Sequence, residues 1–342
     1  MNNKIPRIRR LTLLLGMGGV MVLPTCFDST ASSNAIPENT AIVYVNPALG
    51  TDGDRAGTTE ATPYRTMTYA LEQSQPGTII QLASGTYSTE SGEKFPLLLK
   101  PRVILQGNES TKGQNVVIRG GGAYLSRTFA SQNTTLLAEK DSEIKGITVT
   151  NPNLRGTGVW IESGNAAIAN NTFINCLREG VFVTGSASPK ITANIFRQNQ
   201  ANGLSVAKAA QGEIRGNLFD HTGFGMAISD NAAPLLIDNQ ITANKDGIVI
   251  SHTSRPVLRN NRIEGNMRYG VVLIADAQPD MGTASSPGNN VLLNNGESDL
   301  YDLTTHEQPI ASGNQIGISK RGKVELPTES PTVVESPTVE QP

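Results

Sequence analysis

The feature that most constrains the fold is a repeat of 22 or 23 residues in the middle of the chain. An asparagine followed two residues later by Phe or Ile recurs at Asn171, Asn194, Asn217, Asn239 and Asn261. A glycine that opens an apolar run recurs with the same period at positions 158, 180, 203, 225, 247 and 270. Regularity over so many periods indicates a repeat architecture rather than a set of separate sites.

Each period carries three short strands. The residues one and three positions after each glycine are apolar, as in Val181 and Val183, and this alternation predicts a strand. A second strand is predicted after each repeated asparagine, and a third near Ile191 and its equivalents. Three strands in about 22 residues leave no room for a crossover helix. The prediction is therefore an all-β, single-stranded parallel β-helix of about ten coils, in which each strand pairs with its equivalent one coil on.

The five repeated asparagines are interpreted as scaffold. In a β-helix they stack at a bend, where each inward amide can bond to its neighbours' amides and to turn backbone, and buried polar groups need such partners. The repeated glycine is predicted to mark the next bend, where a residue without Cβ tolerates the required backbone conformation.

The two ends of the chain lack this repeat. Residues 1–25 combine a basic start with an apolar stretch from Leu11 to Leu23, which predicts a lipoprotein-like export signal. Cys26 is then the candidate for lipidation, and the alternative is ordinary signal cleavage within Ser29–Ala35. Residues 26–40 are predicted to be a linker, 41–320 a cap and β-helix, and 321–342 a disordered Pro/Thr-rich tail. The protein is expected to be exported, and to be periplasmic, lipid-anchored to the cell envelope or extracellular.

Charge and cysteine content exclude some functions. The formal charge is −2, and without Met1–Thr25 the chain has 24 basic and 30 acidic residues, a charge of −6. This balance argues against nucleic acid as a partner, because no basic stripe is available to displace counterions from phosphates. Cys26 and Cys176 cannot build a disulfide framework, and Cys176 is expected to be a small buried residue. A monomer is expected, with membrane contact only through a lipid on Cys26.

The block before the repeat, Val43 to Tyr87, reads VYVNPALGTDGDRAGTTEATPYRTMTYALEQSQPGTIIQLASGTY. It predicts a strand, a loop, and a short helix that begins after the N-cap Thr66, ends before Pro76-Gly77 and caps the open end of the core. The matching positions of a family signature are Tyr44-Val45, Gly50, Asp52, Gly57-Thr58, Pro63, Thr66, Ala70, Gly77, Ile79, Gly85 and Tyr87.

On these positions the block resembles the DUF1565 family of exported right-handed β-helix proteins. Thr78 and Met67 depart from the usual Asp and Ile of the signature. The resemblance implies the right-handed fold and little about activity, although related openings occur in pectate lyases and other polysaccharide-active enzymes.

Asp52 and Asp54, in a Gly-rich loop, are a candidate calcium site, because neighbouring carboxylates are the ligands that Ca²⁺ prefers. The alternative is that they form Asx turns at the entry to the cap. The sequence requires no cofactor, and Ca²⁺ is the one candidate.

Three aromatic residues are candidate ligand-binding groups on the outward face. Trp160 and Phe182 each follow a repeated glycine by two residues, so they lie on neighbouring coils, or rungs, of the β-helix. Tyr269 directly precedes a repeated glycine. Such rings on a strand face could stack against sugar rings. The alternative for Trp160 and Phe182 is a structural pair covered by the carboxy-terminal segment or by the 275–290 loop.

Four residues are candidates for catalysis. Lys208, Asp230 and His252 lie five residues after successive glycines, on rungs about 5 Å apart, close enough to converge for acid–base chemistry. Asp246 is the fourth, because glycoside hydrolysis uses two carboxylates ~5–9.5 Å apart. Asp230 and Asp246 approach so closely only if the bend between them is tight. The alternative for Lys208, Asp230 and His252 is that these charged groups are simply solvated.

The leading hypothesis from the sequence is an exported β-helix that binds a polysaccharide or cell-envelope glycan, or serves as a rigid surface module, without catalysis. The alternative is a polysaccharide lyase or glycoside hydrolase that acts on the outer face between residues 160 and 275.

Overall fold

The computed structural model describes residues 41–305 and 311–322. The predicted export signal, Cys26, the linker and the tail from residue 323 onward lie outside the described residues. Within them the chain forms a right-handed parallel β-helix of about ten turns, as predicted. No helix in this part of the chain is long and apolar enough to span a membrane.

Three parallel sheets run along the β-helix, and a complete turn contributes one strand to each sheet. The first sheet has nine strands: Ile42–Val45, Ile79–Leu82, Ile104–Gln106, Glu143–Lys145, Ala167–Ala169, Lys190–Thr192, Glu213–Arg215, Leu235–Ile237 and Val257–Arg259. The second has ten: Gly85–Ser88, Val116–Arg119, Thr148–Thr150, Thr172–Ile174, Ile195–Arg197, Leu218–Asp220, Gln240–Thr242, Arg262–Glu264, Val291–Leu293 and Gln315–Ile316.

The third sheet carries the longest strands. Ten of its strands are parallel: Leu97–Leu99, Ser131–Ala138, Gly156–Glu162, Glu179–Thr184, Asn202–Val206, Phe224–Ile228, Asp246–Ile250, Tyr269–Ala275, Ser298–Thr304 and Ser319–Arg321. The eleventh, Gly122–Leu125, pairs antiparallel with Ser131–Ala138 and extends the sheet outward at its amino-terminal end.

The core is a set of stacked apolar rows, because each inward residue pairs with its equivalent one turn on. In the second sheet Phe173 pairs with Phe196, and Phe196 with Phe219. Their rings stack with centroids 5.0 and 4.6 Å apart. Cys176 is buried as predicted, and burial raises the pKa of its thiol to about 12.

The predicted helix forms at Met67–Gln73 and packs against the first strands. The side chain of its N-cap, Thr66, accepts a hydrogen bond from the Tyr69 N–H. The buried residues Met67, Ala70 and Leu71 form one face that joins the core. Two 3₁₀ turns, Thr89–Ser91 and Glu109–Thr111, complete the helical structure of the described residues.

The repeated asparagines form a continuous buried ladder. Each side-chain Nδ2 donates to the Oδ1 of the next asparagine, at 3.0 Å for Asn171 to Asn194 and 3.1 Å for Asn217 to Asn239. The ladder continues beyond Asn261 through Asn290 to Asn314. Every polar atom of these amides has a partner, so the ladder holds the bend between the first and second sheets.

A second ladder, which was not predicted from the sequence, runs five residues after the first. It contains Asn199, Asn244, Asn266 and Asn295, with Cys176 and Thr222 at the two exceptional rungs. The recurrence of asparagine at this fixed offset was the sequence signal that could have revealed it.

Candidate functional site

The predicted row Lys208, Asp230 and His252 lies in the turn that follows the strands of the third sheet. All three residues have left-handed backbone, with φ between 58° and 62°. The Asp230 carboxylate accepts a hydrogen bond from the Lys208 backbone N–H at 3.0 Å and lies 3.4 Å from Lys208 Nζ. The His252 ring lies 3.1 Å from Ser251 Oγ, within its own turn. The structure thus pairs Lys208 with Asp230 at an exposed bend, while the contact of His252 is local.

Asp246 lies at the opposite edge of the same sheet. It pairs with Phe224, the first residue of a strand, whereas Asp230 follows the end of that strand at Ile228. Four residue steps along the strand already span about 13 Å, more than the ~5–9.5 Å over which two carboxylates cooperate in glycoside hydrolysis. The tight bend that an Asp230–Asp246 pair requires is therefore absent. Asp246 is instead buried in a two-pronged ion pair with Arg268.

Two rungs are bridged by a further buried carboxylate that the sequence analysis did not select. Glu179 is buried, accepts a hydrogen bond from Thr157 Oγ1 at 2.9 Å and lies 2.9 Å from Arg178 Nε. Burial raises the pKa of Glu179, and the Arg178 guanidinium opposes this rise. Its partners make it a structural link along the amino-terminal edge of the third sheet.

Trp160 and Phe182 point outward, as predicted, but their rings are covered. They form a cluster separate from the core and are 1% and 5% exposed. Their rings stack at 4.3 Å and 7°, and Tyr124 and Phe129 pack edge-on against them. The cover is thus residues 122–130, which we call the strap. The pair is thus structural, as the alternative interpretation held, but the strap rather than the 275–290 loop packs against it, and neither ring has an open face for a sugar.

Glu162 holds the strap in place. Its carboxylate accepts hydrogen bonds from Tyr124 Oη at 2.6 Å, Ser126 Oγ at 3.1 Å and the Thr128 N–H at 2.7 Å. Burial raises the pKa of Glu162, but these hydrogen bonds outweigh burial, and the net pKa lies below its ordinary value. Burial and the bond to Glu162 together raise the pKa of Tyr124 to about 12. The strap is therefore pinned by an ionised carboxylate.

The outward-pointing residues at the centre of the third sheet form a mostly apolar column, in which Trp160, Phe182, Ser205 and Val272 are buried. Consecutive rungs are paired in register from the first strand to the last but one. The column consists of Leu98, Leu137, Trp160, Phe182, Ser205, Ala227, Val249, Val272 and Tyr301. The outward positions of the other two sheets carry many charges, including the ion pairs Arg197–Asp220 and Arg215–Glu213.

Tyr269 is the predicted ligand-binding aromatic whose ring remains partly accessible. It lies beside the carboxy-terminal end of the apolar column and stacks on Tyr301, with ring centroids 4.9 Å apart at 28°. Its hydroxyl donates to Glu297 at 2.7 Å, and this hydrogen bond together with burial raises the pKa of Tyr269 to about 12. The pair Tyr269–Tyr301 is thus a half-buried aromatic platform with polar groups at its edge.

The candidate calcium ligands are engaged in the cap. Asp52 Oδ1 accepts from the backbone N–H groups of Arg65 and Thr66, and Oδ2 accepts from Thr66 Oγ1. Asp54 accepts from Tyr69 Oη at 3.3 Å. Among the residues described, no group of three or more His, Cys, Asp or Glu side chains is arranged to hold a metal ion. These contacts account for both aspartates as ties between the loop and the helix.

Comparisons with known proteins agree with this architecture. A family model described as "Protein of unknown function (DUF1565)" matches residues 48–319. No curated protein matches the sequence significantly.

Among solved structures, the chain is similar to pectate lyase Pel9A, with a TM-score of 0.53 and 13% identity over 83% of this chain and 80% of that one. A periplasmic alginate epimerase, AlgG, aligns with a TM-score of 0.42 and 16% identity over 67% and 63% of the two chains. A polygalacturonase from Erwinia carotovora aligns with a TM-score of 0.42 and 13% identity over 83% and 98%. At 13% identity the likeness to the pectate lyase establishes the parallel β-helix fold alone.

Proposed function

Because the chain belongs to the DUF1565 family, whose function is unknown, we propose a function from its own surface: non-catalytic binding of a polysaccharide or cell-envelope glycan along the outer face of the third sheet. The observation that carries the proposal is the outward apolar column, which ends beside the Tyr269–Tyr301 platform.

The chemistry of this face suits an extended glycan. Sugar rings present an apolar C–H face and a rim of hydroxyls, and aromatic rings offer a large, rigid apolar surface with polar groups nearby. Beside the platform, Arg268 supplies donors and Glu297 supplies acceptors for hydroxyls. The fold shared with a pectate lyase is in keeping with a long ligand, although fold alone does not assign a function.

Cleavage of the glycan is the competing outcome. It is less favoured because the candidate carboxylates Asp230 and Asp246 lie at opposite edges of the sheet and each is held by a cation. Catalysis requires several groups held in one productive geometry, whereas stacking requires one ring at the surface.

The test is retention of the purified protein on an array of acidic and neutral polysaccharides. Tyr269→Ala should weaken retention roughly 2- to 10-fold through loss of the aromatic contact. Tyr269→Phe keeps the ring and should therefore be retained on the array almost as strongly as the wild type. Leu154→Ala, at an exposed leucine outside the column, is the matched control. Equal binding by wild type and Tyr269→Ala would overturn the proposal. So would new reducing or unsaturated ends that disappear in Asp230→Asn.

We also propose that the protein is exported and acts at the cell envelope, from the character of residues 1–26. The intact mass of the protein recovered from cells tests this: a chain that begins at Cys26 with a diacylglycerol mass, or within about ten residues after it without lipid, is expected. A chain that keeps Met1–Thr25 would contradict export.

A further inference from the structure

A cavity of about 540 Å³ opens on the outer face of the third sheet, at its amino-terminal end. Its floor contains Leu98, Leu137 and Trp160 of the apolar column, and Tyr124 of the strap forms one wall. Phe129 covers Phe182 on the next rung, and neither of these two residues lines the cavity. Its volume lies within the ~300–1,000 Å³ of typical ligand pockets.

Trp160, one of the residues that line the cavity, carries an unsatisfied hydrogen-bond donor. Trp160 Nε1 is buried and has no hydrogen-bond partner among the described residues. A buried donor without a partner has lost its hydrogen bond to water and gained none in return, which is unfavourable. The stack on Phe182 and the edge contacts of Tyr124 and Phe129 pack the Trp160 ring in this orientation. An acceptor brought by a ligand would satisfy it.

The charges around the cavity balance. Arg127, Lys140, Glu139 and Glu162 all line it. The Glu162 carboxylate already accepts hydrogen bonds from three donors. A site with two positive and two negative groups does not favour a ligand with a net charge of either sign. An apolar floor, a buried donor and a polar rim instead match a neutral molecule that has one apolar face and several hydroxyls.

We propose that this cavity binds a neutral saccharide of one or two rings, with one of its oxygens accepting a hydrogen bond from Trp160 Nε1–H and its apolar face on Leu98 and Leu137. The inference rests on the proposed function for the class of ligand, but it places that ligand at a separate site. Five rungs, about 24 Å, separate Trp160 from Val272, which lies beside the Tyr269 platform.

Trp160 is the only tryptophan of the chain, so its emission and its single indole N–H resonance report directly on the cavity. The probes are glucose, galactose, mannose, N-acetylglucosamine, maltose and cellobiose. At least one should change the emission saturably and move the indole resonance. Trp160→Phe keeps a ring and removes the donor, and calorimetry should show about 5-fold weaker binding of that sugar.

Two leucine variants provide the matched control. Leu98→Asp places a charge on the floor at a side chain that is 44% exposed, and it should abolish the response while the fold is kept. Leu154→Asp makes the same change at an exposed leucine outside the cavity and should leave the response unchanged. The proposal is overturned if no probe alters Trp160, if the response survives Leu98→Asp, or if glucuronate binds more tightly than the neutral sugars.

The failures of the two proposals are distinguishable. Retention on polysaccharides that depends on Tyr269, together with a silent Trp160, would remove the cavity site and leave the proposed function standing. A Trp160 response without any polysaccharide retention would remove the proposed function and leave the cavity site standing.

Discussion

The side-chain amide of a ladder asparagine makes four hydrogen bonds at once, as Asn217 shows. Its Nδ2 donates to the Ile191 carbonyl at 2.8 Å and to Asn239 Oδ1 at 3.1 Å, while its Oδ1 accepts from the N–H and the Nδ2 of Asn194 at 2.9 and 3.0 Å. Because the site is 1% exposed, water cannot replace these partners. The amide is therefore needed for its shape as well as its polarity.

Replacing Asn217 by Leu should lower the free energy of unfolding by ~1–3 kcal/mol, because the partners in the ladder are left unpaired. Urea denaturation measures this. Gln240→Leu, an exposed position in the next turn, should change stability by less than ~0.5 kcal/mol. If the two substitutions changed the free energy of unfolding equally, the ladder amides would be able to bond to water instead of to each other with little loss of stability.

The contribution of Glu162 to the free energy of unfolding should depend on pH in a predictable direction. Its folded-state pKa lies below its ordinary value of about 4.3, so the ionised form stabilises the folded state. This contribution is complete above pH ~4.3 and is lost as the pH falls through the lowered folded-state pKa. Glu162→Gln should therefore be less stable than wild type by about 1 kcal/mol at pH 7, and the difference should shrink towards pH 3.

Urea denaturation followed by Trp160 emission is the measurement, with Glu139→Gln, at an exposed carboxylate beside the same cavity, as the control. A gap between wild type and Glu162→Gln that stays constant down to pH 3 would contradict the assignment of Glu162 as the pin.

At the scale of the strand, the repeated glycines have a different cause from the one predicted. None of the six has a left-handed φ, so no special backbone conformation requires them. A Cβ on Gly203 would instead lie 2.6 Å from Phe219 Cδ1 and 2.7 Å from the Gly225 carbonyl oxygen. The glycine row is thus set by the close approach of the next coil and of the stacked phenylalanines.

Gly203→Ala should accordingly destabilise the protein by ~1–3 kcal/mol through overpacking. Gly164→Ala is the control, since a Cβ there meets its nearest atom at 3.4 Å, an ordinary contact, without a left-handed backbone. Thermal unfolding of both variants is the measurement, and only Gly203→Ala should have a lower melting temperature than the wild type. A neutral Gly203→Ala would show that neighbouring coils can separate slightly without loss of packing.

At the scale of the whole molecule, stability is a sum over stacked coils, because each coil contacts chiefly its neighbours. Within the described residues the strand Ser319–Arg321 pairs on one side only and is exposed, whereas Asn202–Val206 is paired on both sides and mostly buried. Backbone amides of the former should exchange with solvent at least ~10²-fold faster than those of the latter. Hydrogen exchange resolved by segment measures this, and uniform rates would indicate that the β-helix opens only as one cooperative unit.

The sequence by itself determined the coil length, the three strands per coil, the inward apolar rows and the first asparagine ladder. Each of these depends on an environment that returns every 22 or 23 residues, so the same side chain is selected again and again, as with Asn171 and Asn194. The second ladder had the same kind of signal, and a search at a fixed offset from the first would have found it. The N-cap Thr66 was predictable because its partner, the Tyr69 N–H, is three residues away.

The candidate site was decided by the tertiary structure alone. The strap belongs to no repeat, and only its long-range bonds to Glu162 place Tyr124 and Phe129 over Trp160 and Phe182. The separation of Asp230 from Asp246 likewise depends on which edge of the sheet each bend occupies. A periodic pattern states which face a residue occupies, but not which distant segment covers it, because that contact is made once and leaves no period in the sequence.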